Sequence, residues 1–183
     1  MKTRTIAVAA ASLLMSVAVL AQEPVLGVKD PESLFKDTDP TLNKNKEAAM
    51  HIMRELLQCN QWDRAGEWLT QAYHQHNPNA KSGLDGVVYY FTQVAKVKQS
   101  DTCGKLTSPV VAVIADDDYV TVMTPRHLPK PGSACEKKPP RERASCPADE
   151  MYYTTWFDTW RFVDGKADEH WDGATLAAPP PGQ

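Results

Sequence analysis

The feature that most constrains this fold is the pair Asp164-Gly165, which separates two strand-like runs near the end of the chain. Asp-Gly between such runs is among the strongest short signals for a β-hairpin. The first run, residues 151–163, is rich in residues that suit a half-buried strand. Its even positions carry four aromatic side chains and one carboxylate: Tyr152, Trp156, Asp158, Trp160 and Phe162. The second run ends in an acid, an imidazole, an indole and a second acid: Glu169, His170, Trp171 and Asp172.

The turn at Gly165 decides which of these side chains share a face. A two-residue turn pairs Val163 with Lys166 and sets Asp158 opposite Trp171, so the acids and the imidazole do not converge. The alternative is a three-residue loop in which Gly165 forms a left-handed bulge.

The bulged loop shifts the pairing by one residue. Asp158 then lies opposite His170, and Asp172 follows two residues further along the same face. Because a catalytic site needs these three side chains together, a site at this hairpin predicts the bulge at Gly165. The sequence by itself leaves both registers open.

Upstream of the hairpin, the hydrophobic period changes from helical to strand-like. Apolar residues at helical spacing predict a first helix from Asn43, capped by Asn43 or Asn45, to about Cys59. A shorter helix is predicted from Asp63 to Leu69, then a turn over residues 73–78 and a third helix over residues 84–98. Strands are predicted over residues 106–115 and 119–126, followed by a proline-rich insertion at 128–148.

This order predicts an α+β fold, with about three N-terminal helices packed on a strongly curved antiparallel sheet. Helices on one face of a curled sheet leave a conical cavity between the two layers. We expect this pocket to be lined by five aromatic residues: Tyr73, Tyr90, Trp156, Trp160 and Phe162.

The N-terminus has the three parts of a cleavable export signal. Two basic residues precede an apolar run from Ile6 to Leu20, and Ala21 supplies a small residue for cleavage. A membrane anchor is the alternative, but the run is short for a spanning helix. We therefore expect a signal peptide at 1–21, a periplasmic or secreted protein without a membrane anchor, an extended leader at 22–42 and a flexible tail at 177–183.

The charge and the cysteines limit the partners and the compartment. The 183-residue chain has a formal net charge of −3, so it lacks the basic footprint of a nucleic-acid-binding protein. Four cysteines in an exported chain predict two disulfides. Cys135 and Cys146 bracket the insertion and favour local closure, which leaves Cys59 to pair with Cys103; a zinc site is the rival, but CxxC spacing is absent from the sequence.

The chain resembles the SnoaL-like polyketide cyclase branch of the NTF2-like superfamily over about residues 43–176. The resemblance rests on five short motifs: Asn45-Lys46, Gln75-His76-Asn77-Pro78, Asp158-Thr159-Trp160-Arg161, Asp164-Gly165-Lys166 and Glu169-His170-Trp171-Asp172. It implies a cone-shaped α+β barrel, a homodimer, an apolar pocket for a small hydrophobic ligand, and catalysis that requires neither a metal nor an organic cofactor. By motif position, Asp172 takes the role of general acid/base and Asp158 that of its pocket partner. The insertion and the export signal depart from the family pattern and put a polyketide substrate in doubt.

The functional hypothesis is an exported acid/base enzyme acting on a small apolar carbonyl compound by aldol condensation, isomerisation or lyase chemistry. Asp172 is the expected acid/base, with three supporting residues: Asp158, His170 and His76. The first alternative is a binding protein for a hydrophobic small molecule, without turnover, and the second is a module that docks partners on its sheet. A divalent metal site is chemically allowed for five residues but is not favoured: His74, His76, Asp158, His170 and Asp172.

Overall fold

A computed structural model describes residues 22–176, and the predicted signal peptide and C-terminal tail lie outside this range. The fold is mixed α+β, with three α-helices and one five-stranded sheet. The helices are α1 (Pro40–His51), α2 (Ala65–Trp68) and α3 (Leu84–Tyr89). The strands are β1 (Leu69–Gln75), β2 (Ala112–Asp116), β3 (Tyr119–Pro129), β4 (Met151–Val163) and β5 (Lys166–Trp171), in the spatial order β1-β5-β4-β3-β2.

Helix α1 begins earlier than predicted, because Asp39 rather than Asn43 or Asn45 is its N-cap. The Asp39 carboxylate accepts hydrogen bonds from the backbone N–H groups of Thr41 and Leu42, and Pro40 occupies the first helical position, where its missing N–H costs nothing. Asn45 is instead buried. The helix continues as a π-helical segment, Ile52–Gln58, and α3 likewise continues as Tyr90–Val94.

The segment that precedes α1 is not simply extended. A 3₁₀ helix spans Pro31–Phe35, and the side chain of Phe35 is only 1% exposed. The backbone N–H of Val28 also donates to the carbonyl of Val110. This part of the predicted leader therefore belongs to the packed domain.

Strand β1 corrects the prediction of a turn over residues 73–78. It pairs with β5 in parallel, so the sheet is mixed rather than wholly antiparallel. Leu69 and Tyr73 bury their side chains on its inner face, whereas the Gln and His residues beside them are polar and carry little strand signal. The turn signals Asn77 and Pro78 are real, but they follow the strand instead of replacing it.

The hairpin between β4 and β5 has the two-residue turn, so the prediction of a bulge at Gly165 is wrong. Val163 pairs with Lys166, and Asp164 and Gly165 both have positive φ, at 53° and 82°. These values are typical of a type I′ turn, whose twist matches that of the flanking strands. A bulge occurs further along instead, because Phe162 pairs with Ala167 whereas Arg161 pairs with Glu169, leaving Asp168 as the extra residue.

The core lies between the helices and the inner face of the sheet. It combines α1, its π-helical continuation and α3 with the inward-facing residues of the strands. Its most completely buried large side chains include Phe35, Leu56, Val87, Val110, Val120, Val122, Trp160 and Phe162. None of the helices in residues 22–176 is long and apolar enough to span a membrane.

Both predicted disulfides are confirmed. Cys59, at the end of the first helical segment, is bonded to Cys103, and Cys135 is bonded to Cys146 across the insertion. The insertion forms three short 3₁₀ segments, Ala134–Lys137, Pro140–Ser145 and Ala148–Glu150.

A buried ion cluster around Glu55 ties α1 to α2. The carboxylate lies 2.6 Å from His51 Nδ1 and 2.8 Å from an Arg64 nitrogen, and it accepts a hydrogen bond of 3.0 Å from Trp68 Nε1. Burial alone would raise the pKa of Glu55, but hydrogen bonds from His51, Trp68 and Arg54 outweigh it and hold that pKa below its usual value. Glu55 is therefore charged and stabilising at neutral pH.

We predict that Glu55→Gln lowers the free energy of unfolding by roughly 1–3 kcal/mol at pH 7, because it removes the buried carboxylate that the partly exposed His51, Arg54 and Arg64 side chains contact. Since the pKa of Glu55 is lowered on folding, its contribution is full above about pH 4.5 and is lost as the pH falls further. The difference between the two proteins, measured by denaturant unfolding, should therefore shrink below that pH. Glu67→Gln, which removes the exposed partner of Arg64, is the matched control and should cost less. A difference that is constant from pH 7 to pH 3 would contradict this account.

Candidate functional site

A cavity of about 490 Å³ lies between the helices and the sheet. Side chains from α3 and from the π-helical continuations of α1 and α3 form an apolar wall that includes Ile52, Leu56, Val87 and Phe91. The strands supply the polar wall, which consists of Tyr73, Gln75, Asp158, His170 and their neighbours. A mostly apolar cavity with a few convergent polar groups is typical of small-molecule sites.

Three titratable side chains converge on the polar wall. Asp158 lies on β4, His170 on β5 and Asp172 just beyond β5, and one donor atom of each lies within 4.8 Å of the others. Asp158 and His170 are 8% and 6% exposed, while Asp172 is half-buried. The convergence that the sequence linked to a bulge at Gly165 thus occurs with a two-residue turn.

The bulge at Asp168 explains how this is possible. Ala167 and His170 both face inward although they are three residues apart, and the two intervening acids face outward. Arg161 binds both, with Nη2 2.6 Å from Asp168 and Nε 3.1 Å from Glu169. The extra residue reverses the faces that the turn alone would set, because side chains alternate along a strand.

Gln75 fixes the orientation of the His170 ring. Its side-chain oxygen accepts a hydrogen bond of 2.9 Å from the backbone N–H of Asn77, which identifies that atom as the amide oxygen. The same oxygen lies 2.8 Å from His170 Nδ1. Nδ1 must therefore carry a proton and donate to it.

This leaves His170 Nε2 facing Asp158. Nε2 lies 3.2 Å from Asp158 Oδ1, which also accepts a 3.1 Å hydrogen bond from Trp156 Nε1. In a neutral imidazole already protonated at Nδ1, Nε2 would present a lone pair to the carboxylate oxygen. Because two acceptors do not bind each other, this contact is favourable when a proton lies between Nε2 and Oδ1.

Asp172 is held by two donors from outside the hairpin pair. Asn77 Nδ2 donates to its Oδ2 at 2.7 Å, and the backbone N–H of Ala174 donates to its Oδ1 at 2.9 Å. Each carboxylate oxygen keeps a further lone pair for a proton or a ligand. The two donors therefore orient the Asp172 carboxylate and leave each of its oxygens able to accept another hydrogen bond.

Tyr73 adds a hydroxyl to the same wall. Burial, together with the nearby charges of Asp158 and Asp172, raises the pKa of Tyr73 well above its usual range, so the hydroxyl keeps its proton. Its oxygen accepts a hydrogen bond of 3.2 Å from Trp160 Nε1. Within residues 22–176, the Tyr73 proton itself has no acceptor, which leaves it available to a bound molecule.

The structure places most, but not all, of the predicted pocket residues at the cavity. Tyr73, Tyr90, Trp156 and Trp160 line it, whereas Phe162 does not and is packed in the core at 1% exposure. Phe162 pairs with Ala167 close to the turn, so it lies too far along the hairpin to reach the cavity.

His76 lies outside the cavity, contrary to its predicted supporting role. Strand alternation turns Tyr73 and Gln75 inward and His76 outward. His76 Nε2 contacts a Glu169 carboxylate oxygen at 2.8 Å, and its ring stacks on Trp171. It contributes to the outer surface of the hairpin and not to the cluster.

The residues missed by sequence reasoning are Gln75 and Asn77. Both belong to the Gln-His-Asn-Pro motif, in which His76 is the expected supporting residue and the two amides are given no role. The alternation Tyr73, Gln75, Asn77 could have indicated the inward set, had this stretch been recognised as a strand. His74 of the metal alternative also lies apart from the cluster, and of that set only Asp158, His170 and Asp172 have the donor types and spacing to share a metal ion.

Comparison with known proteins returned matches only among solved structures: no family model matches the chain, and no curated protein matches it. A proposed SnoaL-like polyketide cyclase from a Jannaschia species is 17% identical, with 75% of this chain and 91% of that chain covered and a TM-score of 0.45. A proposed polyketide cyclase from Bacillus cereus is 12% identical, with 84% and 87% covered and a TM-score of 0.47. TerC, crystallised with polyporic acid, is 14% identical, with 72% and 92% covered and a TM-score of 0.44. The predicted resemblance to SnoaL-like and NTF2-like proteins recurs in this comparison.

We predict that Gln75→Leu releases the His170 ring and lowers the free energy of unfolding by about 1–3 kcal/mol, because it leaves the buried His170 Nδ1–H and the partly buried Asn77 N–H without an acceptor. Nitrogen-15 NMR of labelled histidine should show His170 protonated at Nδ1 in the wild type and a changed tautomer or exchange broadening in the variant. Gln71→Leu alters an exposed glutamine of the same strand and should leave the His170 signals unchanged. Identical His170 spectra in wild type and Gln75→Leu would refute the assigned hydrogen bond.

Proposed function

We propose that this chain is an acid/base enzyme that acts, without an organic cofactor, on a small and largely apolar carbonyl compound. The observation that carries the proposal is the cluster of Asp158, His170 and Asp172 on one wall of an otherwise apolar cavity. Removing a proton from the carbon beside a carbonyl needs a base, and the enolate oxygen that forms needs a donor. This wall supports both requirements.

Asp172 is the proposed base. It takes the proton from the carbon next to the carbonyl; the electron pair of that C–H bond forms the C=C bond of the enolate, and the π pair of the carbonyl moves to its oxygen. The Tyr73 hydroxyl and the proton shared by His170 and Asp158 stabilise the resulting oxyanion. In an aldol closure, the nucleophilic carbon bonds to a second carbonyl carbon of the same molecule, and Asp172 returns its proton to the alkoxide that forms. In an isomerisation, Asp172 returns its proton to a different atom of the enolate. Atoms and electrons balance without a co-reactant, as in an aldol closure or an isomerisation.

The surroundings of Asp172 support this assignment over a purely structural one. Asn77 and the Ala174 N–H orient its two oxygens, and no Lys or Arg side chain pairs with it in the described part of the chain. A carboxylate held by neutral donors keeps its basicity more readily than one in an ion pair.

The wider setting is part of the same proposal. The two disulfides support an oxidising, extracytoplasmic compartment. The resemblance supports a curved, cone-shaped sheet around the cavity, a homodimer and a small-molecule partner rather than nucleic acid.

We predict that the protein catalyses exchange of the α-hydrogens of propiophenone, a neutral aryl ketone, with D₂O, measured by proton NMR. Asp172→Asn removes the base while keeping the size of the side chain, and it should slow this exchange by about 10²–10⁴-fold. His76→Asn changes an outward-facing residue and serves as the control, with exchange near the wild-type rate.

Equal exchange rates for the wild type and Asp172→Asn would contradict the proposal that Asp172 is the base. Binding of the ketone without any exchange above the buffer rate would favour the alternative of a non-catalytic binding protein for a hydrophobic small molecule. Isothermal titration of the same ketone distinguishes that result from a failure to bind.

A separate prediction concerns the oxyanion. Tyr73→Phe keeps the buried ring but removes the donor, and it should lower the exchange rate by about 10²–10³-fold with a much smaller effect on ketone binding. Tyr89→Phe, at an exposed tyrosine of α3, is the matched control. A loss of binding as large as the loss of rate would show that Tyr73 only shapes the cavity.

A further inference from the structure

Three residues that line the cavity carry hydrogen-bond donors without an acceptor elsewhere in the structure's described range. These donors are the Tyr73 hydroxyl, the Trp62 indole N–H and the Arg126 guanidinium. Trp62 is 4% exposed and stacked on Phe91, so water has little access to its buried N–H. A buried donor without a partner is costly. The unused donors therefore favour a ligand that carries acceptor oxygens.

Arg126 differs from the other two because it brings a full positive charge. Alternation along β3 gives it the same face as Val120, Val122 and Thr124, whose side chains are buried, and it is exposed where the cavity opens. Among the described residues that line the cavity, it is the one Lys or Arg, and it forms no ion pair with a carboxylate there.

The guanidinium is nevertheless held in place. Its central carbon lies 4.8 Å from the centroid of the Trp156 ring, in a cation–π contact. Stacking of this kind uses the face of the guanidinium and leaves its N–H groups free at the edge, in the fork that matches a carboxylate. Trp156 also donates to Asp158, so the same indole links Arg126 to the acid/base cluster.

We infer that the ligand of this cavity is a carboxylic acid with an apolar body, whose ionised carboxylate is bound by Arg126. This deepens the proposed function and rests on it only in taking the cavity as the ligand site. The acid enters with its apolar end first, because Asp172 on the inner wall repels the ligand carboxylate while Arg126 attracts it at the opening. An acceptor oxygen on the inner part of the ligand is then available to the buried donors.

The test compares an aryl keto acid, benzoylpropionate, with its neutral amide, benzoylpropionamide, by isothermal titration calorimetry. The wild type should bind the acid about tenfold or more tightly than the amide, as expected for a charge-assisted hydrogen bond. Arg126→Gln should remove this preference while leaving the affinity for the amide nearly unchanged. Arg126→Lys, which keeps the charge but loses the planar fork, should retain only part of it.

Lys29→Gln removes the same charge from an exposed residue that does not line the cavity, and its preference for the acid should match that of the wild type. Equal binding of acid and amide by the wild type, failure of the acid to bind, or a preference that survives Arg126→Gln would each overturn the inference. Asp172→Asn should keep the preference, since Arg126 still binds the carboxylate, while this variant slows the exchange reaction of the proposed function. Failure of the carboxylate assignment is thereby separated from failure of the proposed chemistry.

Discussion

The candidate site depends on one backbone irregularity, the bulge at Asp168 in β5. A two-residue turn at Asp164-Gly165 followed by regular pairing would set Trp171 opposite Asp158 and turn His170 to the outer face. The extra residue restores an inward His170 and Asp172. Arg161 holds this arrangement from outside by binding both Asp168 and Glu169, and Thr70 donates to Asp168 at 2.8 Å. The ion pairs of Arg161 on the outer face of the sheet therefore stabilise the bulge that places His170 and Asp172 on its inner face.

Strand β1 and the residues after it provide the side chains that orient His170 and Asp172. Its parallel pairing with β5 brings Gln75 beside His170, and the chain that follows carries Asn77 to Asp172. Each titratable side chain of the cluster has its own neutral support, from an amide or, for Asp158, from the Trp156 indole. Neutral donors orient these groups without cancelling their charge, which is what an acid/base site requires. The helices contribute little to this polar wall and chiefly exclude water from the other side.

Sequence reasoning succeeded where the determining interactions are local. The Asp-Gly turn, the aromatic inner face of β4 and the closure of the insertion by Cys135 and Cys146 all follow from neighbours in the chain. The predicted register was wrong because the position of the bulge depends on tertiary contacts. Arg161 binds Asp168 and Glu169 across the strand pair, and these contacts favour the extra residue at Asp168. Local signals favoured Gly165 because glycine adopts positive φ easily, yet here it does so within an ordinary type I′ turn.

Strand β1 was missed for a related reason. Seven residues that include Thr, His and two Gln have weak intrinsic preference for a strand, and only pairing with β5 makes them one. Without this strand, the sequence offers no alternation that separates the inward Gln75 from the outward His76. Asp158, His170 and Asp172 do lie together in the structure, whereas the side chains that support them depend on tertiary pairing.

The charges of the cavity then limit what can bind there and in which direction. With a proton between His170 and Asp158, that pair has no net charge and Asp172 is the dominant charge of the inner wall. An anion placed deep in the cavity would meet Asp172 in a medium of low polarity, where repulsion is strong. At the opening it would meet Arg126 instead, with the guanidinium already stacked on Trp156. A ligand with one acidic end thus has one favourable orientation, which places its uncharged end beside the carboxylate that is proposed to act as the base.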